Sequence, residues 1–448
     1  LHGLVSGLHI LPFYPYTSDD GFSVVDYRQV DPRAGSWADI HRLQERFSLM
    51  YDAVINHISA SSAWFQGWLR ADPRQDGYFI SLPPETDLSR VVRPRALPLL
   101  TPFDTARGRE WVWTTFSADQ IDLNYANPDV LLEIIDVLLD YAGHGARFLR
   151  LDAIAYLWKI PGPACIHLPQ THAVIRLLRA VLDRAAPQVL LITETNVPHS
   201  DNISYFGDGR GEAQMVYNFA LPPLALHAAA TGQVSALREW AASLRRPGDQ
   251  AAFFNFLASH DGIGLNPARG ILAPAEIEML VQRCLRHGGR VSEKNNPDGS
   301  RSVYELNINY FDALSHPTSA EPVERQAARF LAVHAVLLAL AGMPGIYVHS
   351  LLGSRSWQAG VAQTGYNRSI NRQKFLLEEI ERELAAPGLR QMVYAGLAHM
   401  LRARAGSEAF HPYGLQTVLD AGESVFALLR AGPYGGSRVL CLANLSGE

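Results

Sequence analysis

Seven apolar runs of strand length recur along this chain with helical patterns between them: Gly7 to Phe13, Ser48 to Ile55, Ala146 to Leu151, Val189 to Thr193, Met215 to Phe219, Ala252 to Ala258 and Gly345 to Val348. Strands alternating with helices specify a parallel sheet covered on both faces, and this many repeats favour a closed barrel over an open sheet. The expected architecture is α/β, a (β/α)8 TIM barrel. Such a barrel needs eight strands, so the first βα unit is expected to be absent from this chain. Both ends read as cut: Leu1 stands where an initiator Met would, and Glu448 follows closely on a strand-like run. The chain is therefore expected to be a fragment of a longer product, with lowered stability.

The helical patterns are legible in detail. Asn127 to Ala142 carries Val130, Leu131, Ile134, Ile135, Val137, Leu138 and Tyr141 at amphipathic spacing behind an Asn-Pro start, a good N-cap and first-turn pair. Thr171 to Ala186 and Val323 to Ala341 read the same way. Two segments break the rhythm. Residues 58–120 are rich in Trp, Pro, Arg and Gly and lie between two barrel strands, an excursion domain after the third barrel strand. From 409 to 448, Gly422 to Arg430 and Ser437 to Asn444 flank the Gly432 to Gly436 turn and predict a small, incomplete C-terminal β domain. Residues 1–57 and 121–408 then form the catalytic barrel.

Composition excludes several classes. The chain of 448 residues is 48% hydrophobic, which rules out disorder. Its net charge of −5 gives no basic field for nucleic acid or an anionic membrane. No apolar run approaches the ~20 residues of a membrane span. Cys165, Cys284 and Cys441 fall in no CxxC pattern, read as buried thiols, and suit a cytoplasmic location. No acidic spacing suggests a calcium cage and no Gly-rich loop a nucleotide, so neither a metal nor a cofactor is expected.

Polar clusters close four of the apolar runs: Asn56-His57, Arg150-Leu151-Asp152, Glu194 and His260-Asp261. In a parallel barrel the strand C-termini open on one face, so these groups are expected to converge. Arg150 and Asp152, two apart on a strand, point to the same side. A single strand-end Asp is more often a cap or turn residue; four clusters in phase with strands argue for a site. A carboxylate pair there suits glycosyl transfer with retention, one group attacking the anomeric carbon and the other serving as acid and then base.

The runs Asp52-Ala-Val-Ile-Asn-His57, Arg150-Leu-Asp152, Ile192-Thr-Glu194 and Ser259-His-Asp261 resemble, in order and strand context, the four motif regions of the α-amylase superfamily. The resemblance implies Asp152 as nucleophile, Glu194 as general acid/base, Asp261 as transition-state stabiliser, and Arg150, His57 and His260 as glucose ligands. Ile10-Leu-Pro-Phe-Tyr-Pro15, Ser18-Asp-Asp-Gly-Phe22, Arg93-Pro-Arg95, Phe219 to Leu224, His260 to Gly264 and Ser369-Ile-Asn-Arg372 are similar to the sucrose phosphorylase group. That likeness implies Asp19 and Arg368 as the pair closing the glucose pocket, Tyr156 as a subsite residue, and Arg95, or less favourably Arg93, as the arginine that receives phosphate. A solvated loop arginine is the alternative for both.

Within the group, Glu194 to His199, Asn202 to Phe206, Glu305 to Phe311 and Leu351 to Ser356 look closer to the glucosylglycerate phosphorylases. A guanidinium can clamp a carboxylate at two points, which would suit Arg355 to a glycerate acceptor; a surface loop residue is the other reading. Trp64, Trp68, Trp111 and Trp113 could stack on sugars or form the excursion domain's core. The expected activity is a retaining phosphorylase that moves glucose from an α-glucoside, glucosylglycerate being favoured, to inorganic phosphate. The competing readings are a sucrose or sucrose 6-phosphate phosphorylase, an α-glucosidase or transglucosidase, and an inactive carbohydrate-binding fragment.

Overall fold

The computed structural model describes residues 1–95, 97–296 and 300–447. Residue 96 of the excursion segment and Glu448 of the C-terminal segment lie outside them. The chain forms two compact units, Leu1–Thr195 with Ser204–Val216 and Lys294–Ser302, and Asn196–Ile203 with Tyr217–Glu293 and Val303–Glu448.

The first unit is built on parallel strands. Gly7–Ile10 pairs with Ser48–Ala53, that strand with Ala146–Leu151, and that with Leu190–Thr193, beside which Met215 and Val216 lie in register with Ile192 and Thr193. Ala146–Leu151 matches its apolar run end to end, and the other strands are shorter than the runs that predict them. Phe13, Val54 and Ile55 are buried beyond the last ladder bond, because the chain leaves the sheet while its side chains still pack beneath the site. The helix expected from Asn127 spans Pro128–Gly143, and the Asn127 side chain accepts from the Asp129 amide at 2.9 Å. Its Val130, Ile134, Val137, Leu138 and Tyr141 face inward, as the 3.6-residue period requires. The next helix, Pro169–Ala185, starts two residues before the expected Thr171 because Pro169 suits its first turn.

The excursion segment is more regular than its composition suggests. It holds a helix, Ala63–Leu69, and a hairpin of Leu100–Thr105 with Gly108–Trp113. His57–Ser59 pairs antiparallel with Gln120–Asp122 and closes the segment at its base. Trp68 and Trp113 are buried, Trp113 in a small cluster with Leu88, Val91, Leu99 and Cys165. At least these two tryptophans are therefore core rather than sugar platforms.

In the second unit, Ala252–Asn255 pairs in parallel with Met343–Pro344 through Phe254↔Met343 and Asn255↔Pro344. The strand expected at Gly345 to Val348 thus lies two residues earlier. Gly345 passes so close to the Phe254 ring that a Cβ would meet it at 2.4 Å, and Val348 already begins a helix. The helices Leu221–Thr231, Pro274–Arg286, Val323–Ala339 and Leu389–Ala405 share one core. The C-terminal segment is a three-stranded antiparallel sheet, Leu415–Asp420, Val425–Ala431 and Arg438–Asn444. Its first strand was not expected from sequence. Arg430, on the middle strand, is fully buried and donates to the carbonyls of Ala339, His411 and Leu415. Cys165 and Cys284 are buried and Cys441 partly so; all three are free thiols.

Candidate active site

Parallel pairing sets Asp52 beside Arg150 in register, so both side chains rise from one face of the sheet. The Arg150 guanidinium donates through one amino group to Asp52 and, at 2.8 Å, to Asp152 Oδ1. Its other amino group lies 3.7 Å from Glu194 Oε2. His9 Nε2 is 2.8 Å from the second oxygen of Asp52. One buried cation therefore organises three carboxylates from three strands, the economical way to keep such charge out of water. Burial pushes the Asp152 carboxyl up, the Arg150 charge opposes this, and the Asp52 charge adds to the rise. Ala153, next to Asp152, adopts a left-handed conformation at φ 49° and donates its amide to Glu194 Oε2 at 3.1 Å. A non-glycine residue in that region stores strain, and here it ties the backbone beside one carboxylate to the other.

His57 is buried, and both its ring nitrogens meet protein atoms: Nδ1 the Asn56 amide nitrogen at 3.2 Å, Nε2 the Phe22 carbonyl at 2.9 Å. Burial lowers its pKa. Behind it, Lys159 Nζ lies 2.8 Å from both Asp122 Oδ2 and Asn56 Oδ1. Asp122 also accepts from the Thr115 amide at 2.8 Å and hydroxyl at 2.6 Å.

Asp19 sits in a turn where it and Asp20 both take positive φ, 54° and 51°. Arg95 pairs with Asp19 at 2.9 Å and lies over the Phe116 ring. Phe116 in turn meets Tyr156 edge-on at 5.6 Å and His57 at 5.2 Å. Arg93 is half-buried and makes no ion pair among the described residues. The arginine ranked second from sequence is thus the one whose guanidinium is not engaged by a carboxylate.

In the second unit, Asp261 Oδ1 forms an ion pair with Arg368 at 2.6 Å and accepts from Arg372 at 3.4 Å, with His260 Nε2 at 3.5 Å. Arg368 also forms a two-point pair with Glu305, at 2.7 and 3.1 Å. Burial works against its charge, but Asp261 and Glu305 outweigh burial and hold Arg368 firmly protonated. Arg372 donates to the His260 carbonyl at 2.9 Å, fixing the backbone of that motif. Arg355 binds Asp312 at 2.9 Å and Gln326 at 2.7 Å, over the Phe311 ring.

Each unit therefore holds its expected residues in a bonded set: Arg150, Asp152 and Glu194 in one, His260, Asp261 and Arg368 in the other. Sequence reasoning assigned no role to Asp52, Lys159, Glu305 or Arg372. Asp52 could have been found, since it alternates onto the same face as Arg150 once the two strands are neighbours. Lys159, a lone lysine in Tyr-Leu-Trp-Lys-Ile-Pro, carried no such signal.

The profile of the alpha amylase catalytic domain matches residues 3–263. The chain is 56% identical to a glucosylglycerate phosphorylase of Spirochaeta thermophila over 447 residues, covering 100% of this chain and 76% of that protein. It is 30% identical to a sucrose phosphorylase of Agrobacterium vitis, covering 92% and 83%. The crystal structure of sucrose 6F-phosphate phosphorylase from Thermoanaerobacter thermosaccharolyticum superposes with a TM-score of 0.85 at 25% identity, covering 99% of this chain and 88% of that one. The expected TIM barrel is thereby established, and the chain belongs to the α-amylase family.

Proposed function

We propose that the chain is a retaining glycoside phosphorylase that transfers glucose from glucosylglycerate to inorganic phosphate. The observation that carries the chemistry is the Arg150 guanidinium shared by Asp152 and Glu194. Two carboxylates held on one cation at strand ends suit double displacement. Asp152 attacks the anomeric carbon while the bond to the glycerate oxygen breaks, and Glu194 gives that oxygen its proton. A phosphate oxygen then attacks the glucosyl ester, Glu194 takes the phosphate proton, and Asp152 leaves as carboxylate with α-glucose 1-phosphate as product. Asp261 takes the stabilising role by its motif, and Asp19, His57, Tyr156, His260 and Arg368 the sugar-binding roles by theirs.

The choice of donor rests on the 56% identity to a glucosylglycerate phosphorylase against 30% to a sucrose phosphorylase. Arg93 and Arg95 are assigned to phosphate, and Arg355 to the acceptor carboxylate. No helix among the described residues is long and apolar enough to cross a membrane, and free thiols suit the cytoplasm.

The test runs the reaction backward. The purified protein is given α-glucose 1-phosphate with D-glycerate, fructose, fructose 6-phosphate or no acceptor, and phosphate release is measured beside Asp152→Asn. Release that depends on D-glycerate and disappears in the variant is expected. Equal release without acceptor would make the protein a hydrolase, and release with fructose alone would move the donor to sucrose.

A further inference from the structure

We propose that Lys159 is a positioning residue for His57, acting through the side-chain amide of Asn56. An ammonium has three N–H donors and no acceptor, so the amide atom facing it must be oxygen. The Asn56 Oδ1 to Lys159 Nζ distance of 2.8 Å fits that assignment. With the oxygen held there, the amide nitrogen turns to Asp122 Oδ2 at 3.3 Å and His57 Nδ1 at 3.2 Å. An NH2 group only donates, so His57 Nδ1 must present its lone pair. The ring proton is then on Nε2, where it donates to the Phe22 carbonyl at 2.9 Å. Gln120 Nε2 donates to the same carbonyl at 2.9 Å and also lies 3.1 Å from His57 Nε2; the carbonyl is the nearer neighbour of Nε2 and can only accept, so the ring proton stays on Nε2 and both groups donate to that oxygen.

The relay runs from a charge to a backbone carbonyl without a gap. Lys159 is 2% exposed and Asp122 fully buried, so neither can exchange its partner for water. Phe22 closes the turn that carries Asp19, and its ring lies 5.7 Å from the Arg150 guanidinium. The imidazole orientation is thereby coupled to the turn beside the catalytic carboxylates. The groups bearing on the His57 charge are Asp122 and Asp152, which favour protonation, and Lys159, which opposes it; burial is the largest influence and lowers the ring's pKa. Phe116 supplies the apolar neighbour.

The inference rests on the proposed reading only for its activity arm; the tautomer is read independently. Histidine side-chain nitrogen NMR on the folded protein, with the His57 signal identified by its loss in His57→Gln, should show a single neutral ring protonated on Nε2 between pH 5.5 and 8. Asn56→Asp, nearly isosteric, replaces the donor facing Nδ1 by an acceptor, so His57 should become doubly protonated over the same range. Lys159→Met frees the amide to flip and should populate a second tautomer, with phosphorolysis kcat/KM falling about 10-fold. Lys159→Arg should restore the single tautomer. An unchanged His57 signal in Asn56→Asp overturns the relay even if Lys159→Met fails to fold. An unchanged signal in a folded Lys159→Met shows that the lysine only fills space. Tautomer shifts as expected in a protein whose parent form shows no phosphorolysis would leave the relay standing and count against the phosphorylase reading alone.

Discussion

Arg150 donates to Asp152 at 2.8 Å from the neighbouring position on the same strand face, and the same guanidinium reaches towards Glu194. Asp152 is nonetheless pushed up by burial. A carboxyl with a raised folded-state pKa contributes most stability in its protonated form, below the ordinary carboxylate range, and loses it as pH rises through the raised value. The ionised form of Asp152 therefore weakens the fold. Asp152→Asn should abolish turnover, by roughly 10³-fold or more, while Tm at pH 7 stays level or rises. Arg150→Gln should do the reverse to stability, because Asp52, fully buried, loses its cation; breaking such a pair costs roughly 3–5 kcal/mol. Thermal melts of the two variants in one buffer check both signs.

The two arginines of the excursion loop should separate kinetically. Arg93 makes no ion pair among the described residues, whereas Arg95 is spent on Asp19 at 2.9 Å. Loss of one charge-assisted hydrogen bond corresponds to roughly 10-fold in affinity or more. Arg93→Gln should raise KM for phosphate by about that factor with Tm unchanged. Arg95→Gln should also raise KM for the glucoside, because Asp19 is released from its strained turn. Initial rates with each substrate varied in turn distinguish the two.

Much of this was legible in the sequence, and the limits have physical causes. That Asp152 and Glu194 lie by one guanidinium was legible because strand period and strand-end placement fix where a side chain points. Asp52 was missed because its role depends on which strand lies beside it, a fact of pairing rather than of local pattern. The Gly345 strand was misplaced by two residues because an apolar run need not end where the ladder does: pairing stops at Pro344, Ile346 is still partly buried, and Val348 is 53% exposed and already helical. The same cause shortened Gly7 to Phe13 to Gly7–Ile10. The fullness of the excursion segment, with its own hairpin and tryptophan core, was hidden by prolines and arginines that serve its turns and surface.

Arg368 is held at two points by Glu305 and by Asp261, at 2.7 and 2.6 Å. A lysine carries the charge but not the planar fork, so Arg368→Lys should lower kcat/KM on the order of 100-fold while retaining the fold. Glu305→Gln keeps shape and loses one of the two charges, and about 10-fold is expected. If both variants keep parental kcat/KM, the cluster around Asp261 has no part in handling the sugar.

His334 gives the acid limb of stability. It is buried on the Val323–Ala339 helix, its Nδ1 bonded to the Phe330 carbonyl at 2.9 Å, and burial brings its pKa from 6.5 down to about 4. The unfolded chain takes up a proton near pH 6.5 while the folded chain resists it, so stability is whole above that pH and is lost as pH falls towards 4. The shift corresponds to roughly 3 kcal/mol. His349, also buried and brought to about 4, adds a second contribution over the same window. His334→Gln removes one titrating group while keeping a donor for the Phe330 carbonyl. Urea midpoints between pH 7 and pH 4 should therefore fall less steeply in this variant than in the parent, although the variant starts lower at pH 7 through lost packing against Phe330. Parallel slopes would mean that His334 titrates in the fold as it does in the unfolded chain.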